Sequence, residues 1–504
     1  MKPRPTTGEA PLGEAPFDAS GLTRREVLAG GAAAVLGACG REGPRDSRTG
    51  SPPGMPQARP VERTAARPAA RASDARVPVA VEPNGKAPDG KATSGKAPGG
   101  EAANRGTPGG KAPDGGAPRG ANVTMFRGNP SHTFYGTGPM ADRLVERWRF
   151  KMGTFVSKAT ATRAEKKWSG TGWTGTAIYV DGMIYIGSQD SRLYCIEAQS
   201  GKERWRYQAG RMFKASACYH EGRIFIGNVD NYLHCVEAAT GKGLWRWDSG
   251  QDLDSSACIY EGRLYIGGEA GYLNCLEPKT GKVIWRQFLG GTEGGGGSGG
   301  VESSPAVTEG RVYASTYSGD LFCMDALTGK RIWKARTGDD TDVSPVVTAG
   351  RLWTAAQEKS PYVYCFDALT GKHQFRVNNN MGWWSTPAVV GDRLYIGGQD
   401  RRLYCLHAFS GAKLWAFRAG EAIWSSPAVV DGKVIFGSYD SHLYLLDAAD
   451  GRLLWKERLD GRILSSPCVV RGSVFIGTAT GWFYAFGPPG GEAREAEPSR
   501  PEGG

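Results

Sequence analysis

Through the last three-quarters of the chain, apolar residues fall into short β-prone runs separated by Gly, Asp, Ser and Asn. The stretch SSPAVVDGKVIFGSYDSHLYLLDAADGRLLW, from Ser425 to Trp455, holds four of them. Pro427–Val430, Lys433–Gly437, His442–Asp447 and Leu453–Trp455 alternate with the turn signals Asp-Gly, Ser-Tyr-Asp-Ser and Ala-Asp-Gly. No segment between 121 and 488 sustains a helical period of 3.6. Each unit therefore predicts four antiparallel strands joined by tight turns. Such a sheet cannot bury both faces by itself.

The unit recurs about every 40 residues. Its fourth run carries [Asp/Glu]-Ala-x-[Thr/Ser]-Gly-[Lys/Arg]-x-x-Trp, ending at Trp205, Trp245, Trp285, Trp333, Phe375, Trp415 and Trp455. Stacking small sheets radially buries their faces and leaves only short edges, so the prediction is an all-β propeller. An eighth unit begins at Ser465 but stops at Phe486, before its fourth strand. Upstream, the orphan strand LVERWRF at Leu144–Phe150 puts Trp148 in the missing position. Eight blades follow, with the N-terminal strand completing the last; seven blades with a decorated seam is the alternative. Because the recurrent tryptophans occur once per unit, Trp148, Trp205, Trp245, Trp285, Trp333, Trp415 and Trp455 are read as docking one blade on the next.

The N-terminal quarter follows another logic. Arg24 and Arg25 form a twin-arginine pattern leading into the apolar run Leu28–Ala38, too short to span a bilayer. The run ends Leu-Gly-Ala-Cys, resembling a lipobox with Cys39 as the lipidated residue, so 1–39 reads as a signal peptide. Gly40 after it permits outer-membrane sorting. Residues 40–120 are rich in Pro, Gly, Ala and Lys, with GKAPDG near-repeats, and are expected to be disordered. As a coil of roughly 80 residues this linker reaches about 50 Å. The propeller is expected over 121–488 and a disordered tail over 489–504.

The net charge is +11, and the linker holds fourteen Lys or Arg against eight Asp or Glu. That excess is spread rather than clustered and no nucleic-acid motif accompanies it. Ten cysteines in an exported chain would suggest disulfides. Six of them, however, share one position on the third run (Cys195, Cys235, Cys275, Cys323, Cys365, Cys405) and three share the first (Cys218, Cys258, Cys468). First and third strands of one blade lie about 9–10 Å apart, beyond disulfide reach. The thiols are read as small buried apolar groups. Gly296-Gly297-Ser298-Gly299-Gly300 matches Gly-x-Ser-x-Gly, but no helix follows to make a nucleophile elbow. There is no phosphate loop and no CxxC, and His407 stands alone in place of the repeat's acid.

On these residues the repeat resembles the pyrroloquinoline-quinone-like (PQQ-like) propeller family, in which a Thr-Gly-Lys turn precedes a Trp that docks between blades. The resemblance runs from Met125, where MFRGNP looks like the family's opening segment, to about Phe486. One branch, the quinoprotein dehydrogenases, holds the quinone and Ca²⁺ over the propeller axis. Another is cofactor-free and similar to BamB, the lipoprotein subunit of the outer-membrane β-barrel assembly machine. The dehydrogenases commonly stack the quinone against a ring made by adjacent disulfide-bonded cysteines. No Cys-Cys pair or haem Cys-x-x-Cys-His motif occurs here, so the BamB-like branch is expected, with no cofactor.

Function is sought where the repeats differ. The residue before each Ser-Ser-Pro equivalent should line one mouth of the channel: Thr174, Lys214, Asp254, Glu302, Asp342, Trp384, Trp424 and Leu464, with Trp383 alongside. Half of this ring is acidic and half apolar, suited to a peptide, a cationic ligand or a divalent ion. The expectation is an exported, lipid-anchored, monomeric propeller that scaffolds envelope proteins or peptides without catalysis. One alternative is a PQQ- and Ca²⁺-dependent dehydrogenase using Asp254–Asp342; another is a carbohydrate-binding or sensory propeller.

Overall fold

The computed structural model describes residues 122–157, 166–171, 175–290, 299–357, 359–490 and 494–495, all within one compact unit, Lys111–Gly504. Arg24, Arg25, Cys39, the linker, Thr174 and the glycine run around Ser298 lie outside the described residues. Every regular element described is a strand, and no described helix is long and apolar enough to cross a membrane.

Among the described residues eight blade sheets form, one per repeat, and a ninth, two-stranded antiparallel sheet pairs Thr154–Ser157 with Lys166–Ser169 between blades 8 and 1. In blade 1, strands A to D are Ile178–Val180, Met183–Gly187, Arg192–Glu197 and Glu203–Gln208. Blades 2 to 7 repeat this from Cys218–His220 through Leu453–Arg458. The inner strands neighbour one another from blade to blade, and Cys468–Val470 of blade 8 neighbours Ile178–Val180 of blade 1, which closes the ring. Strands B and C are buried on both faces between adjacent blades, which is why they read as nearly continuous apolar runs. Strand D, on the outside, alternates half-buried with exposed.

Blade 8 settles the count at eight. Its first three strands come from the C-terminal end and its fourth is Val145–Lys151, antiparallel to Trp482–Gly487 with Arg149 opposite Tyr484. The two ends of the propeller thereby share one sheet and leave no open seam. Part of the expected disordered tail is structured: Arg494–Glu495 pairs in parallel with Trp148 and Arg149 on the outer edge.

The Thr-Gly-Lys turn and the Trp interlock. The Trp148 indole N–H donates to the Ala198 carbonyl, Trp205 to Ala238, Trp285 to Ala326, Trp333 to Ala368 and Trp415 to Ala448, each in the following blade. The same ring lies on the glycine of that blade's turn. At Gly329, with φ +71°, an added Cβ would come within 2.8 Å of the Trp285 ring. Trp245 donates to Lys279, because Pro278 replaces the alanine there. Blade 5 has Phe375 and no indole at this point. Trp353 on its strand B supplies the N–H instead, donating to Ala408. Trp455 faces a blade without such a turn and packs edge-on to Phe486, 5.7 Å between centroids.

All nine cysteines in the described residues are buried and free. Burial pushes the thiols of Cys218 and Cys468 up to about 12, so they stay protonated and unreactive.

One component was not foreseen. Residues 122–140 form a strap that crosses the A–B hairpin face of the ring and meets every blade. Val123 bridges Tyr179, the Thr124 carbonyl accepts from Tyr219, and Met125 packs with Ile259. Pro130 and Ser131 accept from Val307 and Val347, the Val389 N–H donates to the Tyr135 hydroxyl, Thr137 donates to Val469, and Met140 donates to Asp431. Arg127, at φ 56°, drives its guanidinium into the interior, where it donates to the carbonyls of Thr386, Pro387 (3.0 Å) and Pro427 (2.5 Å). This buried cation is solvated by backbone oxygens, and burial lowers its pKa to about 10. The strap thus ties the inner strands together on the A–B hairpin face.

Candidate channel mouth

Each D–A loop and each B–C turn points to the face opposite the strap, because strands A and C run in opposite directions to B and D. In blades 2 to 8 the second hydroxyl of the Ser-Ser-Pro equivalent accepts from the preceding blade's inner strand. The bonds run Thr176 to Ser216, Ser216 to Ser256, Ser256 to Ser304, Ser304 to Ser344, Ser344 to Thr386, Thr386 to Ser426 and Ser426 to Ser466. The spacing is 2.9–3.3 Å throughout. This hydroxyl belt fixes the eight inner strands relative to one another, and so fixes the loop residues that precede it.

Those loop residues are packed inward rather than standing in solvent. Lys214, Trp424 and Leu464 are 6–7% exposed. The Lys214 ammonium lies 2.6 Å from Asp254 Oδ2. Asp342 accepts from Gln357 at 2.5 Å. Trp384 and Trp424 stack at 3.8 Å, Trp424 meets Tyr439 at 4.6 Å, and Arg462 lies over Tyr439 at 5.4 Å. Trp383 does not join them. It is fully buried in the core with Val363 and Leu394, and its indole donates to Pro361. Consecutive residues on an extended loop point to opposite sides, so only one of the two tryptophans can face the mouth.

A second tier, missed in the sequence, comes from the B–C turns. Glu269, Tyr317, Gln357, Gln399 and Tyr439 occupy one position in blades 3 to 7, each with its N–H bonded to a carbonyl of its own blade's D–A loop: Asp252, Gly300, Asp340, Gly382 and Ala422. This position varies round the ring as much as the first one does; it was legible as a second break in the repeat. Interleaving the tiers brings Asp254, Glu269 and Glu302 together, with one carboxylate oxygen of each within 4.8 Å of the others. Tyr317 donates to Glu269 at 2.5 Å.

Electrostatics follow from this crowding. Burial pushes the Asp254 carboxyl up to about 8, with Glu302 and Asp252 adding to the rise and the Lys214 ammonium opposing it. Burial and the neighbouring Glu302 hold Glu269 well above the usual carboxylate range, and burial raises Asp252. The mouth thus has a carboxylate arc over blades 3 to 5, short of positive charge, and an aromatic arc over blades 6 and 7. The blade-docking tryptophans lie elsewhere, between blades.

Comparison with known proteins fits this architecture. No curated protein sequence matches the chain. Among solved structures, a europium-containing methanol dehydrogenase superposes with a TM-score of 0.62 at 15% identity, over 73% of this chain and 98% of that one. The quinohemoprotein alcohol dehydrogenase of Comamonas testosteroni gives 0.61 at 16%, over 77% and 83%. BamB from Moraxella catarrhalis gives 0.55 at 16%, over 69% of this chain and all of that one. At these identities the likeness is one of fold. A sequence profile described as outer membrane protein assembly factor BamB matches residues 145–377 and 359–503, most of the chain and every blade, so the chain belongs to the family of outer membrane protein assembly factor BamB.

Proposed function

We propose that this protein is an exported, lipid-anchored scaffold whose channel mouth holds a segment of an envelope polypeptide, without catalysis. The observation that carries the reading is the division of the loop face opposite the strap into a carboxylate arc and an aromatic arc. A cationic side chain would be drawn to Asp254, Glu269 and Glu302, while an apolar or aromatic neighbour would lie on Trp424 and Tyr439. The twin-arginine leader, Cys39 and the linker supply export, anchorage and reach in this reading; family membership supports it. Affinity capture from membranes with the full, lipidated chain tests it. The double variant Asp254→Ala plus Trp424→Ala should lose captured polypeptides while keeping its circular dichroism. Unchanged capture by the folded variant would sink the reading.

The carboxylate trio favours a second reading, a quinone- and Ca²⁺-dependent dehydrogenase. The donor set fits a hard cation: three carboxylates converge, and Asp254 Oδ1 is buried with no hydrogen-bond partner among the described residues. The quinone fits poorly. Trp384 and Trp424 lie against each other at 3.8 Å between centroids, tilted by 33°, which leaves no slot for a planar ring between them. Titration with pyrroloquinoline quinone and Ca²⁺, followed by tryptophan fluorescence, separates the readings. Saturable micromolar binding with dye reduction would favour the enzyme.

A further inference from the structure

The C–D turns lie at the outer rim of the strap face, and their tips differ round the ring. In blades 1, 2, 3 and 7 the tip residue is Gln199, Ala239, Lys279 and Ala449. In three consecutive blades, 4 to 6, it is Leu327, Leu369 and Phe409, which are 61%, 49% and 42% exposed. These side chains are not loosely held. Each sits on a turn pinned by its own polar residues: Thr328 donates to Asp325 (2.7 Å), Thr370 to Asp367 (2.8 Å), and Ser410 bonds His407 (2.9 Å). Together they make a row of large apolar groups on consecutive protruding tips, on one side of the ring, that a single flat apolar layer can cover at once.

The same turns carry exposed Lys330, Arg331, Lys372 and Lys413. Against these four cations stand two turn carboxylates, Asp325 and Asp367, since blade 6 has His407 in place of the acid. The described chain also begins on this face: Asn122 bonds the Asp181 side chain and N–H in the A–B turn of blade 1. Apolar tips spaced one blade apart along a convex arc, interleaved with lysines, suit a flat, deformable, anionic surface better than the contiguous pocketed face of a protein.

We propose that the turn tips of blades 4 to 6 insert into an anionic phospholipid surface, laying the strap face on the membrane and turning the carboxylate–aromatic mouth away from it. Leu327, Leu369 and Phe409 enter the headgroup boundary, and the turn lysines pair with lipid phosphates. The proposal goes beyond the scaffold reading and is tested without the mouth, its occupant or the lipid on Cys39.

The test uses the full chain with Cys39→Ser, so that no acyl chain contributes. The nine propeller thiols are buried, so a cysteine introduced at a turn tip takes an environment-sensitive fluorophore selectively. With the probe at Leu369→Cys, vesicles of phosphatidylethanolamine and phosphatidylglycerol should blue-shift its emission. The equivalent tip Gln199→Cys in blade 1 should not shift, and phosphatidylcholine vesicles should give little response at either. In co-sedimentation, Leu327→Ser/Leu369→Ser/Phe409→Ser should weaken binding at least tenfold although the basic linker is intact. A probe at 369 that stays in water while the chain is vesicle-bound overturns the proposal. So does equal binding by the triple variant, or failure of the parent chain to bind, which would give the arc to a protein partner.

Discussion

Two glycines of blade 4 allow the docking of one blade on the next to be weighed. Gly310, in the A–B turn, and Gly329, in the C–D turn, share nearly the same backbone, with φ of +69° and +71°. An L-residue in this left-handed region costs about 1–2 kcal/mol at either position. Beyond that the two differ. A Cβ on Gly310 would meet nothing within 4 Å, whereas on Gly329 it would stand 2.8 Å from the Trp285 ring. Trp285 is 8% exposed and bonded to Ala326 at 3.0 Å, so it cannot move away without breaking that bond. Overpacking of this kind adds about 1–3 kcal/mol. Gly310→Ala should therefore destabilise by about 1–2 kcal/mol and Gly329→Ala by about 2–5 kcal/mol. Urea unfolding followed by tryptophan fluorescence measures both, and adding Trp285→Ala should make Gly329→Ala as mild as Gly310→Ala. Equal costs for the two single variants would refute the interlock.

Further expectations concern the mouth, blade 5 and the strap. Asp254, Glu269 and Asp252 all bind protons more tightly in the folded chain than in the unfolded one. Their contribution to stability is thus greatest below the ordinary carboxylate range near 4 and falls as pH rises towards about 8, the value for Asp254. The urea midpoint should drop between about pH 6 and about pH 9, and Glu269→Gln should flatten that drop; a midpoint rising over the interval would contradict the crowding. In blade 5, Trp353→Phe removes the indole that serves Ala408 and should cost about 2–3 kcal/mol. Tyr313→Phe in blade 4 should cost about 1 kcal/mol or less, since Trp333 still donates to the Ala368 carbonyl that it leaves. Arg127→Met strips its donors from three buried carbonyls and should cost about 2–4 kcal/mol. It should also speed proteolytic cleavage within 122–140, and cleavage at the parental rate would show that the strap holds without it.

The acid cluster sets what the mouth can hold. Lys214 pairs with Asp254, and burial beside other carboxyls favours the protonated form of Glu269, so an incoming cation would act by displacing protons from groups the fold has already desolvated. A neutral ligand would gain only from the aromatic arc, and an anion from neither.

How much of this was legible in the sequence depends on whether a feature is local and repeated. Strand and turn chemistry returns in every unit, so seven copies of a Gly-centred turn, four of them Thr-Gly-Lys, with an aromatic residue three positions after it were enough to give the blades. The orphan Trp148 was enough to give their closure, and the placement of the cysteines excluded disulfides by strand spacing alone. The repeat also located the first tier of the mouth, because Lys214, Asp254 and Trp424 break it at one fixed position. Other features depend on distant parts of the chain. Glu269 and Asp254 share a site because a turn of one strand pair is bonded over the loop before another. Trp383 is turned into the core while Trp384 is not, through the alternation of one extended loop. Arg127 reaches carbonyls about 260 and 300 residues away, and no spacing in MFRGNP signals that. Local residue chemistry determined the blades. Which side chains meet at the axis, and which face the strap crosses, was decided only when the ring closed and brought the loops and one strap to a common centre.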